Sequence, residues 1–284
     1  MKNLKYRDWD LIEIYRKIAN NSRGEKKTLL LNELDRINLR YDHYRQNTSN
    51  LINISQYNFQ GRENIKSYLL DCYGENVNLN KLKVEIKLLQ DTHYKAICPY
   101  CGLNSNGTFD HYIPKEDFPD YSVLALNLIP CCEKCNSFKG NRWTENDHLL
   151  FINYYFSIIP DKRYLYVDIE YIGSTQVPTI TFKLENNNNI DEEVFTVIKT
   201  HYQKLYLCSR YEEHANNIVS ELYDRIKLAY EEGQDLVSQK KELNRQLRVK
   251  KERKGINDWE VALLFAISEC EEFFASITDN LQSI

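Results

Sequence analysis

Apolar residues recur along this chain mostly at the three- and four-residue spacing of helices, and twice that rhythm gives way to short strand-forming runs. Over 8–20, Trp9, Ile12 and Tyr15 share one helical face, with Asp8 as the expected cap. Leu29, Leu30, Leu34, Ile37 and Tyr41 form the apolar stripe of a second helix, about 25–46, ended by QNTSN. Segments near 62–72 and 79–92 also read helical. Residues 106–113 and 127–131 then predict two short strands, and a further helix is expected to start near Glu133.

The second half repeats the alternation. HLLFINYYFSIIP (148–160) is apolar and aromatic, and is expected to pack the central segment onto the C-terminal region. Residues 164–171 and 179–184 are rich in strand formers and predict a β-hairpin across GSTQVP, with Asn186–Asn189 a solvated turn. Helices are expected over about 191–232, with Val194, Ile198, His201, Leu205 and Cys208 on one stripe, then over 235–253 and from Trp259 to about Ile277.

Composition narrows the class. Charged residues at 27% and aromatics at 12% are those of a soluble globular protein, and 284 residues suffice for two domains. No apolar run approaches the ~18–20 residues of a membrane span. The first residues, MKNLKYRDWDLIEIY, lack the apolar core of a signal peptide, so a cytoplasmic location is expected. Net charge is −4, not the footprint of a protein that coats DNA unaided. Residues 1–97 stand at +5, 98–145 at −2 and 146–284 at −7. One basic run, 245–254, suits either phosphates or the negative end of a helix dipole. There is no internal repeat and no Gly-rich phosphate loop, which argues against an ATPase within this chain.

The chemistry concentrates between Cys98 and Gly140. Cys98 and Cys101 form one C-x-x-C pair, Cys132 and Cys135 another, the spacing with which two short loops wrap a tetrahedral Zn²⁺. Cys131 falls outside that spacing and reads as a spare thiol, while Cys72, Cys208 and Cys270 are scattered, unlike a disulfide framework. Between the pairs lie Asp110-His111 and Asn127, with Asn136 and Lys139-Gly140 at and beyond the second pair. His111 can take a proton near neutral pH, and Asp110 and Asn136 offer the hard oxygen ligands that Mg²⁺ accepts. In a regular strand the adjacent Asp110 and His111 point oppositely, so a bulge or bend is expected where both serve one site.

The ordered string C-x-x-C, D-H-x-x-P, N-L, C-x-x-C-N-x-x-K-G resembles the HNH endonucleases, the zinc-braced, treble-clef-like ββα-metal kind, over about 45 residues. The resemblance implies a general base at His111 and a catalytic Mg²⁺ or Mn²⁺ on Asp110 and Asn136. It also implies a brace at Asn127 and a DNA substrate, with Lys139 and Arg142 on the nucleic acid. Asn136 stands where many members carry asparagine for the family's final histidine.

The expected fold is α+β: a mainly helical protein with a central zinc-bound ββα module and a small hairpin. The expected division is 1–95 helical, 96–145 module, and 146–284 hairpin then helices. Chains with helices flanking such a module resemble restriction and anti-phage defence effectors, including the HNH subunit that works beside an ATPase in Septu-type systems. An ATPase partner or self-association is therefore expected, with VALLFAI (261–267) suiting a docking face as well as a core helix. The competing reading is a zinc-stabilised adaptor that binds nucleic acid or protein without cutting.

Overall fold

Asp10, rather than Asp8, starts the first helix: its carboxylate accepts from the Glu13 N–H at 3.0 Å, opening α1 (Leu11–Asn20). The computed structural model describes residues 1–171 and 178–282. The expected 25–46 helix is two helices, α2 (Gly24–Asn32) and α3 (Leu34–Gln46). They break at Glu33, a buried carboxylate that draws in Arg36 and Arg62. α4 (Glu63–Asp71) follows, then α5 (Val77–Leu88), capped by the Asn76 side chain on the N–H groups of Asn78 and Leu79, and the short α6 (Thr92–Ala96).

β1 (Thr108–His111) and β2 (Leu128–Cys131) pair antiparallel and lead into α7 (Glu133–Lys139). A second small ladder, β3 (Thr144–Glu145) with β4 (His148–Leu149), closes this part of the chain. These elements belong to one compact unit, Asn3–Ile158. The N-terminal helices and the ββα segment thus share a unit, where a boundary near 95 was expected. Its core is rich in tyrosine. Tyr15, Tyr44 and Tyr112 are fully buried and donate to the carbonyls of Leu30, Leu126 and Phe151, so ring burial leaves these hydroxyls paired. Of the 148–160 stretch, residues 150–155 are part of that core: Phe151 and Tyr154 are buried and the Tyr155 hydroxyl donates to the Leu128 carbonyl.

The other unit comprises Met1–Lys2 and Ile159–Ile284. β5 (Leu165–Glu170) and β6 (Thr179–Leu184) pair antiparallel, Leu165 opposite Leu184 and Glu170 opposite Thr179. The expected link GSTQV lies outside the described residues. The expected 191–232 helix is divided into α8 (Glu192–Lys204) and α9 (Leu207–Glu231) by Tyr206, whose φ of 54° is left-handed. After α10 (Leu236–Lys254), Gly255 turns the chain at φ 89°. The last expected helix is also two, α11 (Trp259–Glu269) and α12 (Glu271–Gln282), separated by extended Cys270. VALLFAI is core: Val261, Ala262, Leu263, Leu264 and Ile267 are all buried within the chain, so α11 has no broad apolar face left for docking. No described helix is long and apolar enough to cross a membrane.

Candidate active site

The four cysteines converge. Cys98, Cys101, Cys132 and Cys135 are buried, with all four Sγ atoms within 4.8 Å of one another. Cys101 Sγ and Cys132 Sγ stand 3.9 Å apart. That is too far for a disulfide and close to the ~3.8 Å edge of a tetrahedron with Zn–S bonds of ~2.3 Å. Backbone N–H groups of Leu103 and Cys135 point at the sulfurs of Cys101 and Cys132, as thiolate ligands require. Cys131 differs: it meets Thr108 Oγ1 at 3.5 Å instead of the cluster. The donor set fits a structural zinc.

Both walls of the adjoining cleft hang from that cluster. The first knuckle carries Tyr100, whose hydroxyl donates to Asp110 Oδ2 at 2.7 Å. The second knuckle opens α7, with Cys132 as its N-cap, and α7 carries Asn136. Asp110, His111, Asn136, Glu116 and Glu133 line one open cleft with Tyr73 and Phe109. The ladder runs unbroken from Thr108 opposite Cys131 to His111 opposite Leu128, without the expected bulge. His111 is the last residue of β1, and both it and Asp110 reach the cleft despite the regular pairing.

The imidazole is held in one tautomer. His111 Nε2 lies 2.8 Å from the Ser122 carbonyl oxygen. A carbonyl only accepts, so Nε2 carries the proton and Nδ1 keeps its lone pair. Burial depresses the His111 pKa to about 3, so the ring is neutral near pH 7 but a weaker base than the expected proton acceptor near neutral pH. The Tyr73 ring packs edge-on against the imidazole at 4.2 Å. Asn127, fully buried, staples the loop after β1: its Oδ1 accepts from the Ile113 N–H at 2.8 Å, and its Nδ2 donates to the Ile113 carbonyl at 2.9 Å. A longer bond, 3.3 Å, runs from Nδ2 to the carbonyl of Tyr121, the neighbour of Ser122.

Residues 98–142, the span of these groups, match the HNH endonuclease family. The chain carries an HNH module. It is 28% identical over 127 residues to protein ea31 of Escherichia phage lambda, covering 44% of this chain and 43% of the phage protein. It is 26% identical over 70 residues to the Septu protein PtuB of Bacillus thuringiensis, covering 24% of this chain and 27% of that protein. The chain thus spans less than half the length of either relative. No solved structure matches it.

The HNH module uses its basic residues differently from the expectation. Lys139 is buried, and its ammonium sits 3.0 Å from Asp110 Oδ1 and 2.8 Å from the His111 carbonyl oxygen. A side chain so enclosed has no free face for a phosphate. Arg142 is exposed, but its guanidinium folds back on the carbonyls of Phe138 and Lys139 at the end of α7. Both Asp110 oxygens therefore have partners. Each carboxylate oxygen accepts in two directions, so a ligand position remains on either, and the oxygen donors of Asp110 and Asn136 fit a hard divalent ion. Sequence reasoning missed Tyr100, Tyr73 and Ser122. Tyr100 lies between two cysteines of the cluster, a position that could have drawn notice; Ser122 acts through its backbone and leaves no sequence signal.

Proposed function

We propose that the protein is a metal-dependent DNA endonuclease in which His111 is the general base and Asp110 and Asn136 hold one Mg²⁺ or Mn²⁺. The observation that carries this reading is the imidazole. Its Nε2 proton is committed to the Ser122 carbonyl, its Nδ1 lone pair is unprotonated, and the ring stands in the same cleft as the oxygen donors. A phosphodiester is anionic with a poor leaving group, so hydrolysis needs an activated water and positive charge at the departing oxygen. Nδ1 takes the proton of the attacking water, while the Ser122 carbonyl keeps the ring oriented and stabilises the imidazolium that forms. Asn127 holds the 113–122 loop that carries Ser122. A divalent ion, when bound, supplies the charge at the leaving 3′ oxygen, and the family's products, 5′-phosphate and 3′-hydroxyl ends, are expected. Cys98, Cys101, Cys132 and Cys135 would hold a structural Zn²⁺, and their two knuckles carry the Tyr100 and the Asn136 sides of the cleft.

The Septu relative, matched over 24% of this chain, supports a place in restriction or anti-phage defence; the phage protein's name carries no role. Action beside an ATPase partner, or through self-association, goes with that reading. One observation favours the competing reading of a non-cutting adaptor: the Lys139 ion pair partly neutralises Asp110. Plasmid nicking separates the two. An endonuclease nicks only with added Mg²⁺ or Mn²⁺; an adaptor binds DNA and never nicks it with any metal.

A further inference from the structure

The HNH module has few basic groups left for its substrate. Lys139 is on Asp110, Lys115 is on Glu116, Arg142 is on helix-end carbonyls, and Lys134 lies over the Phe138 ring. The cleft lining contributes three carboxylates, Asp110, Glu116 and Glu133. A polyanionic strand entering it needs positive charge from elsewhere. That charge stands on α5, outside the family match.

Lys83 projects from α5 onto the two rings of the cleft wall. Its Nζ sits 4.0 Å from the centroid of Tyr73 and 5.9 Å from that of Phe109. Tyr73 is the ring packed against His111, so this ammonium is one ring contact from the imidazole. Lys87, one turn on, leans over Phe109 but spends its ammonium on the Asn106 carbonyl, tying α5 to the segment before β1. Lys83 has no carboxylate partner among the described residues, and it is half-buried. Burial lowers its pKa, because the ring faces only partly replace the water it has lost. Lys83 does not itself line the cleft; it stands on two rings that do, and an ammonium held there without a carboxylate is placed to meet a phosphate of a strand running out of the cleft.

We propose that Lys83 binds a backbone phosphate beside the scissile one, giving the HNH module a substrate contact from the helical part of its unit. The proposal rests on the endonuclease reading above. One phosphate contact has a defined electrostatic signature: on B-DNA each adds about 0.9 to the slope of log affinity against log salt. Losing it lowers affinity about eightfold at 0.1 M salt when the 1 M intercept is unchanged.

The test is fluorescence anisotropy with a labelled mixed-sequence duplex, titrated at several salt concentrations without added divalent metal, so that binding is read apart from cutting. Lys83→Met keeps the apolar stem on Tyr73 and removes the charge; Lys83→Arg restores it. Lys81→Met, at an exposed position on the same helix, controls for loss of charge in general. Lys83→Met should lose about one unit of slope and bind about eightfold more weakly at 0.1 M salt, Lys83→Arg should recover both, and Lys81→Met should match wild type. Two results overturn the proposal while leaving the endonuclease reading intact: wild-type slope in Lys83→Met, or equal losses in Lys83→Met and Lys81→Met. A wild-type protein that binds no DNA at all removes both.

Discussion

Removing the Lys139 ammonium should injure folding far more than DNA affinity. Its side chain is 0% exposed and that of Asp110 3%, so the pair has little water to fall back on. Lys139→Met keeps most of the volume and leaves the Asp110 carboxylate buried with only the Tyr100 hydroxyl. Breaking a buried pair from one side costs about 3–5 kcal/mol. The His111 carbonyl loses a donor as well. The double variant Lys139→Met/Asp110→Asn removes the stranded charge and should recover a good part of that loss, so the two changes will not add. Urea unfolding followed by tryptophan fluorescence is the assay. Trp9 and Trp143 lie in the Asn3–Ile158 unit and Trp259 in the other, so a Trp259→Phe background reports the Asn3–Ile158 unit alone. A Lys139→Met protein as stable as wild type, with a DNA salt slope reduced by about one, would refute the buried-pair reasoning and restore Lys139 as a phosphate contact.

Other perturbations separate the parts of the site. Cys132→Ser should yield insoluble or zinc-free protein, since such sites contribute on the order of 10 kcal/mol to folding in small zinc peptides. Cys131→Ser should retain one equivalent of zinc by elemental analysis. Asn127→Ala strands the Ile113 N–H and carbonyl in a buried loop at ~1–3 kcal/mol per group; calorimetry should find it strongly destabilised, with kcat falling more than KM rises in whatever protein folds. Asp110→Asn keeps a neutral oxygen donor, so its weakened nicking should improve as Mn²⁺ is raised, a recovery that replacing the base cannot give.

How much the chain discloses by itself depends on which forces are local. Helical stripes such as Leu30, Ile37 and Tyr41 are local periodicities and locate their elements well. The breaks at Glu33, Tyr206 and Cys270 are not periodic; a buried ion pair at the first and a single non-helical residue at the other two mark them. The zinc site is legible because its geometry is written into two short spacings. Lys139 is misread because its partner lies 29 positions upstream, and a buried lysine and a solvated one look alike in sequence. Ser122 is invisible because its contribution is a backbone carbonyl. The bulge expected at Asp110-His111 is absent: both residues pair regularly in the ladder, and both line the cleft.

The most direct test is supercoiled-plasmid nicking by wild type and His111→Ala, each first checked for zinc content, unfolding midpoint and DNA affinity. General-base assistance is worth roughly 10²–10⁴-fold. With those three properties matching wild type, His111→Ala should nick more slowly by at least the lower of these factors at every Mg²⁺ or Mn²⁺ concentration. Nicking by His111→Ala at the wild-type rate would contradict His111 as the base.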